Sequence, residues 1–532
     1  MRKLNLGCGS DYKKGWVNVD FDKNVKADAY FDLGKHFPLK KSGFDYILLQ
    51  DVLEHFTKEG AKALLEKCRE VLSAEGRMEV RVPNLIQIIK QFKKDPGVMI
   101  EFIYGHFSGN DKLDSHKFGY TVDSLKKVLE SVGFTPVSIK TETTNIVCVA
   151  RKTDIKIYPI KVLISGQDSG GLGGAEKFTG DLAKSLIEKK VKVFFTAYAK
   201  SLFTKKLKRM GFKVWEIPVR MDIIGDIKGL IKFFLFFPLI LSKDINILFQ
   251  FRKQGGNVVI LTGISDKIIL SPIAKLFSLT VVWIEFAPLS EVFKKNYYIP
   301  KILYRLVKNI PNLVIVPTQN TKKHLIPETR ISESKIRVIP CGIKMLDVRS
   351  KMSDVRNKKT KIIGMVSRIQ KGKGQDLLIK AASKLKFRDF KVVIIGGGET
   401  QKLKMLAEKL GVASKVKFLG YVERVENELR NFDVFVFPST WGLEGFGLVL
   451  AEAMNAGVPV VAADFGPIPE VVGNAACLVG PTPKAIACGI EKVLSDRKYA
   501  KNLIQEGFAQ VKKYDINVVA DKYYELLADC SK

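Results

Sequence analysis

The chain has 532 residues, with 87 lysines and arginines against 55 aspartates and glutamates, so its formal net charge is +32 at pH 7. A chain of this length with 46% hydrophobic residues predicts about three or four compact units, each able to bury a core. The seven cysteines are scattered and form no Cys-x-x-Cys pair, which indicates a reducing compartment and argues against a structural zinc site.

The positive charge is concentrated in the middle of the chain. Residues 1–152 carry 25 basic and 20 acidic side chains, residues 153–360 carry 37 and 16, and residues 361–532 carry 25 and 19, so the net charges are +5, +21 and +6. Such a field predicts an anionic partner, either lipid headgroups or a nucleic acid. A solvated lysine-rich surface without a partner is the alternative.

Residues 2–6 read as a first strand, 7–9 (GCG) as a tight turn, and 16–19 as a second strand that ends in Asp20. Glycines after the first strand and an acid at the end of the second are the nucleotide-binding arrangement. No targeting segment is expected, because MRKLNLGCGS leads directly into a strand and lacks the apolar core of a signal peptide.

The assembly KLNLGCGS, GWVNVD, FDLGKHFPLKKSGFDYILLQDVLEH, VLSAEGRMEVRVPN and HKFGYTVDSLKKVLESVGF resembles a class I S-adenosylmethionine-dependent methyltransferase over residues 1–152. The resemblance implies the S-adenosylmethionine contacts: Gly7 and Gly9 at the methionine end, Asp20 on the ribose, Asp32 near the adenine and Asp51 beside the methyl group. Turn or cap roles for Asp32 and Asp51 are the alternative.

His55 and His116 are candidate bases on the acceptor side of this domain, although a lone histidine is also a common packing residue. A non-catalytic docking module is the alternative reading of the whole domain. Residues 153–159 (TDIKIYP) form a polar joint to the next unit.

Residues 161–165 begin a new α/β unit, and the glycines of 169–176 (SGGLGGAE) precede an amphipathic helix, 177–189, which predicts a backbone anion site. The short helix 202–209 mixes basic and apolar residues, a composition that suits an anionic lipid surface. The apolar run 230–241 is too short to span a bilayer, which leaves a buried core helix or membrane insertion.

The segment 347–360 is polar and charged and predicts a hinge, after which residues 361–366 begin a second lobe. The loop 367–377 (SRIQKGKGQDL) carries Arg368 and Lys373 at a strand end. Two cations there suit a diphosphate; exposed loop charges are the alternative.

Residues 433–473 read as strand, glycine-bearing loop, helix and strand, with the helix at 448–455. The loop would lie at the carboxyl end of its strand, where parallel sheets bind ligands, and Gly445 and Gly447 would let the backbone approach one. Glu452 interrupts an otherwise apolar helix and requires a partner, which is an internal salt bridge, a cap contact or a ribose diol. Glu444 would face the same cleft.

Glu444 and Glu452 in the frame E-x7-E, within PSTWGLEGFGLVLAEAMNAGVPVVA and followed by GPIPEVVG, resemble the signature of family-4 retaining glycosyltransferases over residues 160–532. The resemblance implies a GT-B fold of two Rossmann-like lobes. These are an acceptor lobe at 160–346 and a donor lobe at 361–515, with a C-terminal helix, 516–532, packing back on the first.

The same resemblance implies the site. Glu444, Arg368 and Lys373 are the predicted catalytic residues, and no metal is expected because no DxD pair is placed to hold one. The donor would also contact Gly173, Gly174, Val422, Gly445, Phe446, Gly447, Leu448 and Glu452. Where family members often carry a histidine, residues 281–289 offer Glu285 and Phe286.

The predicted protein is therefore an α/β enzyme with an N-terminal Rossmann-like methyltransferase domain and a GT-B pair. It would transfer a hexose, with retention, from a nucleotide-diphosphate sugar to a hydroxyl of a surface polysaccharide or lipid-linked glycan, and methylate the same or a related glycan. We expect a cytoplasmic protein. The basic lobe at 160–346 also favours peripheral binding to the inner face of the cell membrane. A nucleic-acid-binding protein is the rival, although no nucleic acid is expected.

Overall fold

The computed structural model describes residues 1–35, 37–39, 41, 43–104, 116–152, 160–165, 173–218, 227–294, 298–346 and 360–530. The chain divides into two compact units, Met1–Ile157 and Tyr158–Lys532. The predicted joint at 153–159, part of the first-lobe glycine loop (169–172) and all but the last residue of the predicted hinge (347–360) lie outside the described residues.

The first unit is built on one seven-stranded sheet with the order β3-β2-β1-β4-β5-β7-β6. Its strands are β1 (Lys3–Leu6), β2 (Val17–Asp20), β3 (Ala29–Tyr30), β4 (Phe44–Gln50), β5 (Leu72–Pro83), β6 (Phe134–Glu142) and β7 (Asn145–Lys152). All pairings are parallel except those of β7, which runs antiparallel to β5 and β6. The strand order reverses between β1 and β4, and ligands of open parallel sheets bind at such a point.

The helices of the first unit are α1 (Lys58–Val71), α2 (Leu85–Gln91), α3 (Pro96–Tyr104) and α4 (Val122–Ser131), and a 3-10 turn, Leu53–His55, follows β4. α1 begins where Thr57 Oγ1 accepts from the backbone N–H of Gly60. Its buried residues Ala61, Leu64 and Leu65 recur at helical spacing, so one face of α1 joins the core with β4 and β5.

The second unit contains two parallel sheets. The first has the order β10-β9-β8-β11-β12-β13-β14, and the second β17-β16-β15-β18-β19-β20. The strands of the first are β8 (Lys161–Ser165), β9 (Lys192–Tyr198), β10 (Lys213–Ile217), β11 (Val258–Leu261), β12 (Thr280–Ile284), β13 (Leu313–Val316) and β14 (Ile336–Val338). Those of the second are β15 (Lys361–Val366), β16 (Phe390–Ile395), β17 (Val416–Gly420), β18 (Val434–Phe437), β19 (Val460–Ala463) and β20 (Ala476–Val479).

Helices flank both sheets. The first lobe, built on the β8–β14 sheet, has α5 (Gly174–Glu188), α6 (Leu202–Arg209), α7 (Ile227–Lys253), α8 (Ile264–Leu276), α9 (Ser290–Phe293), α10 (Ile299–Val307) and α11 (Gln319–Thr329). The second lobe is built on the β15–β20 sheet. From the start of this lobe to the end of the chain, the helices are α12 (Gln375–Ala382), α13 (Gln401–Lys409), α14 (Val425–Leu429), α15 (Leu448–Asn455), α16 (Ile468–Val472), α17 (Pro483–Ser495), α18 (Arg497–Val511) and α19 (Ile516–Cys530). β11, β13, β18 and β19 are wholly apolar and buried, as strands covered on both faces must be.

The last helix, α19, packs on the first lobe although it follows the second in the chain. Ser185 Oγ on α5 donates to Asn517 Oδ1 at 2.8 Å, and Thr280 Oγ1 donates to the Cys530 carbonyl at 3.0 Å. The Phe178 and Tyr523 rings also pack, with centroids 6.2 Å apart. These contacts join the end of the chain to its first parallel sheet.

Of the predictions about two apolar segments, one is wrong and the other holds only in part. Phe203 and Leu207 on α6 are buried in the core, with Phe203 against Phe195, so that apolar face is not available to a lipid surface. The run 230–241 lies in α7, where Ile240 is buried whereas Leu235 is 71% and Leu239 is 53% exposed, so a core helix describes only one face of this part of α7. Among the described helices, none is long and apolar enough to cross a membrane.

Candidate functional site

A cleft of about 390 Å³ lies between the two lobes of the second unit. The first lobe contributes the start of α5, with Lys177, and Phe286 after β12. The second contributes residues that follow β15 and β18 and the start of α15. Its lining includes every residue predicted to bind the donor: Gly173, Gly174, Arg368, Lys373, Val422, Glu444, Gly445, Phe446, Gly447, Leu448 and Glu452.

Glu452 has its partner in the other lobe. Lys177 Nζ on α5 lies 2.6 Å from Glu452 Oε1 and 2.6 Å from Glu426 Oε1. Burial alone would lower the pKa of Lys177, but the two carboxylates raise it above its ordinary value and keep the ammonium charged. Burial raises the pKa of Glu452, and Lys177 opposes that shift. Of the three predicted partners, the structure therefore supplies an internal salt bridge, and this bridge crosses the cleft.

Lys373 and Glu444 form a second ion pair in the cleft, within the second lobe. Lys373 Nζ lies 2.6 Å from Glu444 Oε2 and 3.7 Å from the centroid of the Trp441 ring. Lys373 is only 7% exposed, and burial lowers its pKa although Glu444 acts to raise it. A glycine turn holds this lysine in place, since Gly374 has φ +87° and a Cβ there would lie 2.3 Å from the Pro438 carbonyl oxygen.

Gly445 is needed because the two lobes touch there. A Cβ at Gly445 would lie 1.6 Å from the Phe286 carbonyl oxygen, and Thr318 Oγ1 donates to the Gly445 carbonyl at 3.0 Å. Gly445 lines the cleft, but its close approach is to Phe286 rather than only to a ligand. Glu285, the neighbour of Phe286, points into the protein, where it pairs with buried Lys267 at 2.7 Å.

The residues predicted for the first unit lie at or just after the ends of four strands. Gly7 follows β1 with φ +66°, and its N–H donates to the Val19 carbonyl at 2.8 Å. The Gly9 N–H donates to Asp20 Oδ2 at 2.7 Å, while Asp20 Oδ1 accepts from the N–H groups of Phe21 and Asp22. Asp20 therefore orders the glycine turn through backbone donors.

Asp51 and Asp32 have local partners. Asp51 follows β4 with φ +54° and forms an ion pair with Arg81 at 2.6 Å. Asp32 follows the edge strand β3, accepts from the Gly34 N–H at 2.8 Å, and pairs with Lys35 at 3.2 Å. The Gly34 hydrogen bond holds the pKa of Asp32 below its usual value. The contacts of Asp32 are those of a turn residue, whereas Asp51 lies at the end of β4 beside the switch point.

Sequence reasoning missed several side chains of the cleft, among them Lys177 and Trp441, and it also missed Glu426, which pairs with Lys177. Lys177 could have been found, because it is the cation in the first turn of the helix that follows the glycine loop. Glu426 and Trp441 carry no such local signal, since their partners are defined only by the packing of the lobes.

Comparison with known proteins shows that part of this unit is similar to glycosyltransferases. Residues 349–510 match the family model described as glycosyl transferases group 1. The chain is 31% identical over 225 residues to an uncharacterized glycosyltransferase, MJ1607, of Methanocaldococcus jannaschii, covering 39% of this chain and 57% of that protein. It is 35% identical over 170 residues to a phosphatidyl-myo-inositol mannosyltransferase of Mycobacterium tuberculosis, covering 29% and 44%. The chain spans about half the length of the curated relatives it matches.

Solved structures extend the likeness to the fold. Anabaena Alr3699/HepE in complex with UDP and glucose superposes with a TM-score of 0.58 at 20% identity, covering 70% of this chain and all of that one. A glycosyltransferase from Rickettsia africae gives 0.57 at 20% identity, covering 70% and 99%. The predicted α/β fold of parallel sheets is thus confirmed for the second unit, whose structural neighbours are GT-B glycosyltransferases.

Proposed function

We propose that the second unit transfers a sugar, with retention of configuration, from a nucleoside diphosphate donor to an acceptor hydroxyl. The observation that carries this proposal is the meeting of Arg368, Lys373, Glu444 and Glu452 in one cleft between two parallel-sheet lobes. A solved neighbour crystallised with UDP and glucose supports a nucleotide-sugar donor. Relatives named for inositol phosphate and phosphatidyl-myo-inositol support a glycan or glycolipid acceptor.

The donor diphosphate would lie against Arg368 and Lys373, near the starts of α5 and α15. Both helices begin at glycines, Gly173 and Gly447, and present their first N–H groups and positive dipole ends to the cleft. Cations and helix ends stabilise the diphosphate as negative charge develops on it when the bond to the sugar breaks. This arrangement supplies the stabilisation from protein groups alone.

Glu444 would hold the hydroxyls of the transferred sugar, and Glu452 the ribose. Lys373 engages Glu444 Oε2, which makes this carboxylate a poor nucleophile but leaves its other oxygen to accept hydrogen bonds. Attack by the acceptor on the face that the diphosphate leaves, with the departing phosphate taking the proton, fits this setting better than a covalent glycosyl intermediate.

Thermal unfolding in the presence of a panel of nucleotide sugars tests the proposal, because a ligand that binds only the folded protein raises its Tm. We expect Arg368→Ala and Glu452→Ala to abolish the protection. Arg430→Ala, an exposed arginine of the same lobe outside the cleft, should keep it. Full protection of both cleft variants would show that the donor binds elsewhere.

For the first unit we propose S-adenosylmethionine binding at the β1–β4 switch point and methylation of the same or a related glycan. The cradle suits the cofactor: a Cβ on Gly9 would meet no atom within 4 Å, and Asp51 lies at the end of the neighbouring strand. The cofactor would supply an electrophilic methyl group, and the chain would position the acceptor. Calorimetric titration with S-adenosylmethionine tests this; absence of binding would leave a docking module.

We also propose that the basic first lobe binds an anionic membrane surface through α7. Ile231, Leu235 and Leu239 are spaced four residues apart, so they share one helix face, and all are more than half exposed. Residues 153–360 add a net charge of +21. Sedimentation with anionic vesicles should show salt-sensitive binding that Leu235→Glu weakens. Salt-sensitive RNA binding without vesicle binding would instead favour a nucleic-acid partner.

A further inference from the structure

The first unit contains a cluster of metal-ligand side chains that the methyl-transfer proposal does not use. Glu54 and His55 lie on the 3-10 turn after β4, and His116 lies on the segment before α4. One ligand atom from each of the three lies within 4.8 Å of the others. The two imidazole rings are 5.1 Å apart between centroids and inclined at 73°.

The burial of the Glu54 carboxyl group without a hydrogen-bond partner among the described residues indicates a ligand. The Glu54 side chain is 1% exposed, and neither carboxylate oxygen has a hydrogen-bond partner among the described residues. A buried carboxyl group without hydrogen bonds is costly, so proteins pair such groups or let them coordinate a metal. Arg81, a cation that acts electrostatically on Glu54, is already engaged by Asp51. Within the part of the chain that the structure describes, the carboxyl group of Glu54 therefore has no partner of the kind that its burial requires.

Backbone hydrogen bonds hold the cluster together. The N–H groups of Lys117 and Phe118 donate to the Glu54 carbonyl at 2.6 and 3.2 Å, and the His116 N–H donates to the Tyr104 carbonyl at 3.0 Å. The two residues that follow His116 are thus tied directly to the turn that carries Glu54, so His116 is held near that turn although it lies 62 residues further along the chain. The side chains converge because the two segments are fixed to each other.

We propose that Glu54, His55 and His116 bind a divalent first-row transition metal ion such as Zn²⁺. Two imidazoles and one carboxylate are the protein ligands of zinc sites that keep a fourth position open, and of 2-His-1-carboxylate metal sites. Ligand atoms around one tetrahedral ion lie about 3.4 Å apart. The three ligand atoms lie within 4.8 Å of one another, so side-chain rotations that move them by roughly 1 Å would complete the site. This departs from the sequence expectation of no metal, which rested on cysteine pairs and DxD motifs.

The open coordination position would take an oxygen of a substrate. The cluster lies after β4, next to Asp51, and a bound metal lowers the pKa of a hydroxyl or water that it coordinates. The proposed role of the metal, activation of an acceptor hydroxyl, rests on the proposed methyl transfer. The proposal that these residues bind a metal does not. Metal content is therefore the primary measurement, and its outcome is independent of methyltransferase activity.

The test uses the untagged full chain, stripped with EDTA and titrated with Co²⁺ while its visible absorption is followed. We expect one equivalent of Co²⁺ to bind, with bands that Zn²⁺ abolishes by competition. Glu54→Gln and His116→Ala should weaken binding by about 10- to 100-fold or more, the size of loss seen even for residues that only support metal ligands. His324→Ala, in the second unit, should leave it unchanged.

Both variants would first be checked for a wild-type circular dichroism spectrum. Glu54→Gln preserves the shape of the side chain and removes its charge, so it separates loss of a ligand from loss of folding. No Co²⁺ absorption in the wild-type chain, or equal binding by the wild type and two folded cluster variants, would overturn the proposal. So would a loss of the Co²⁺ bands in His324→Ala.

Discussion

Replacing Lys177 by methionine should destabilise the second unit more than any surface lysine substitution. The Lys177 side chain is 30% exposed, and it pairs with Glu452, whose side chain is 9% exposed, and with Glu426. Removing one partner of a buried ion pair costs about 3 to 5 kcal/mol because the other charge stays buried. Since Lys177 retains partial solvent contact, we expect a loss of about 2 to 3 kcal/mol in the free energy of unfolding.

Urea unfolding followed by tryptophan fluorescence measures this loss. Trp215, Trp283 and Trp441, three of the four tryptophans, lie in the second unit, so the signal reports mainly on it. Adding Glu452→Gln to Lys177→Met should restore part of the stability, with a coupling of about 1 to 3 kcal/mol, because the more deeply buried of the two orphaned charges is gone.

Lys189→Met is the matched control. Lys189 ends the same helix and pairs with Asp521, whose side chain is 61% exposed, so its loss should cost less than about 1 kcal/mol. Equal losses for the two lysine variants would refute the reasoning, as would a double variant no more stable than additivity predicts. Either result would mean that the contact between Lys177 and Glu452 does not stabilise the closed lobes.

Three further predictions follow from single contacts. Gly445→Ala should lower the Tm and abolish nucleotide-sugar protection, because the added methyl collides with the Phe286 carbonyl; Gly442→Ala in the same loop, where a Cβ meets nothing within 4 Å, should do neither. Burial lowers the pKa of Lys373, so this lysine should lose its charge, and UDP affinity should begin to fall, at a pH below the ordinary lysine pKa of 10.5. Lys373→Arg, whose guanidinium stays charged, should remove this fall. In calorimetric titration, Asp20→Asn should weaken S-adenosylmethionine binding by about tenfold, since one lost charge-assisted hydrogen bond is worth roughly 1.5 kcal/mol; unchanged affinity would assign Asp20 to the turn alone.

Local patterns were enough to locate several elements of the second unit. The sequence predicts a strand at 161–165 and a helix at 448–455, and the structure has them at those residues. Both are bounded by residues with strong local preferences, such as Gly447 before the helix and Gly457 after it. The residues predicted for the donor site line one cavity, because strand ends of a parallel sheet meet at one edge, while their roles stay a prediction.

Only the tertiary structure decided which residues far apart in the chain contact each other. The need of Glu452 for a partner follows from its apolar helix, but Lys177, 275 residues away, is defined only by the packing of the lobes. Likewise, the buried face of α6 and the exposed face of α7 have similar apolar patterns. Periodicity reports which residues share a face, whereas burial depends on what the rest of the fold brings against that face.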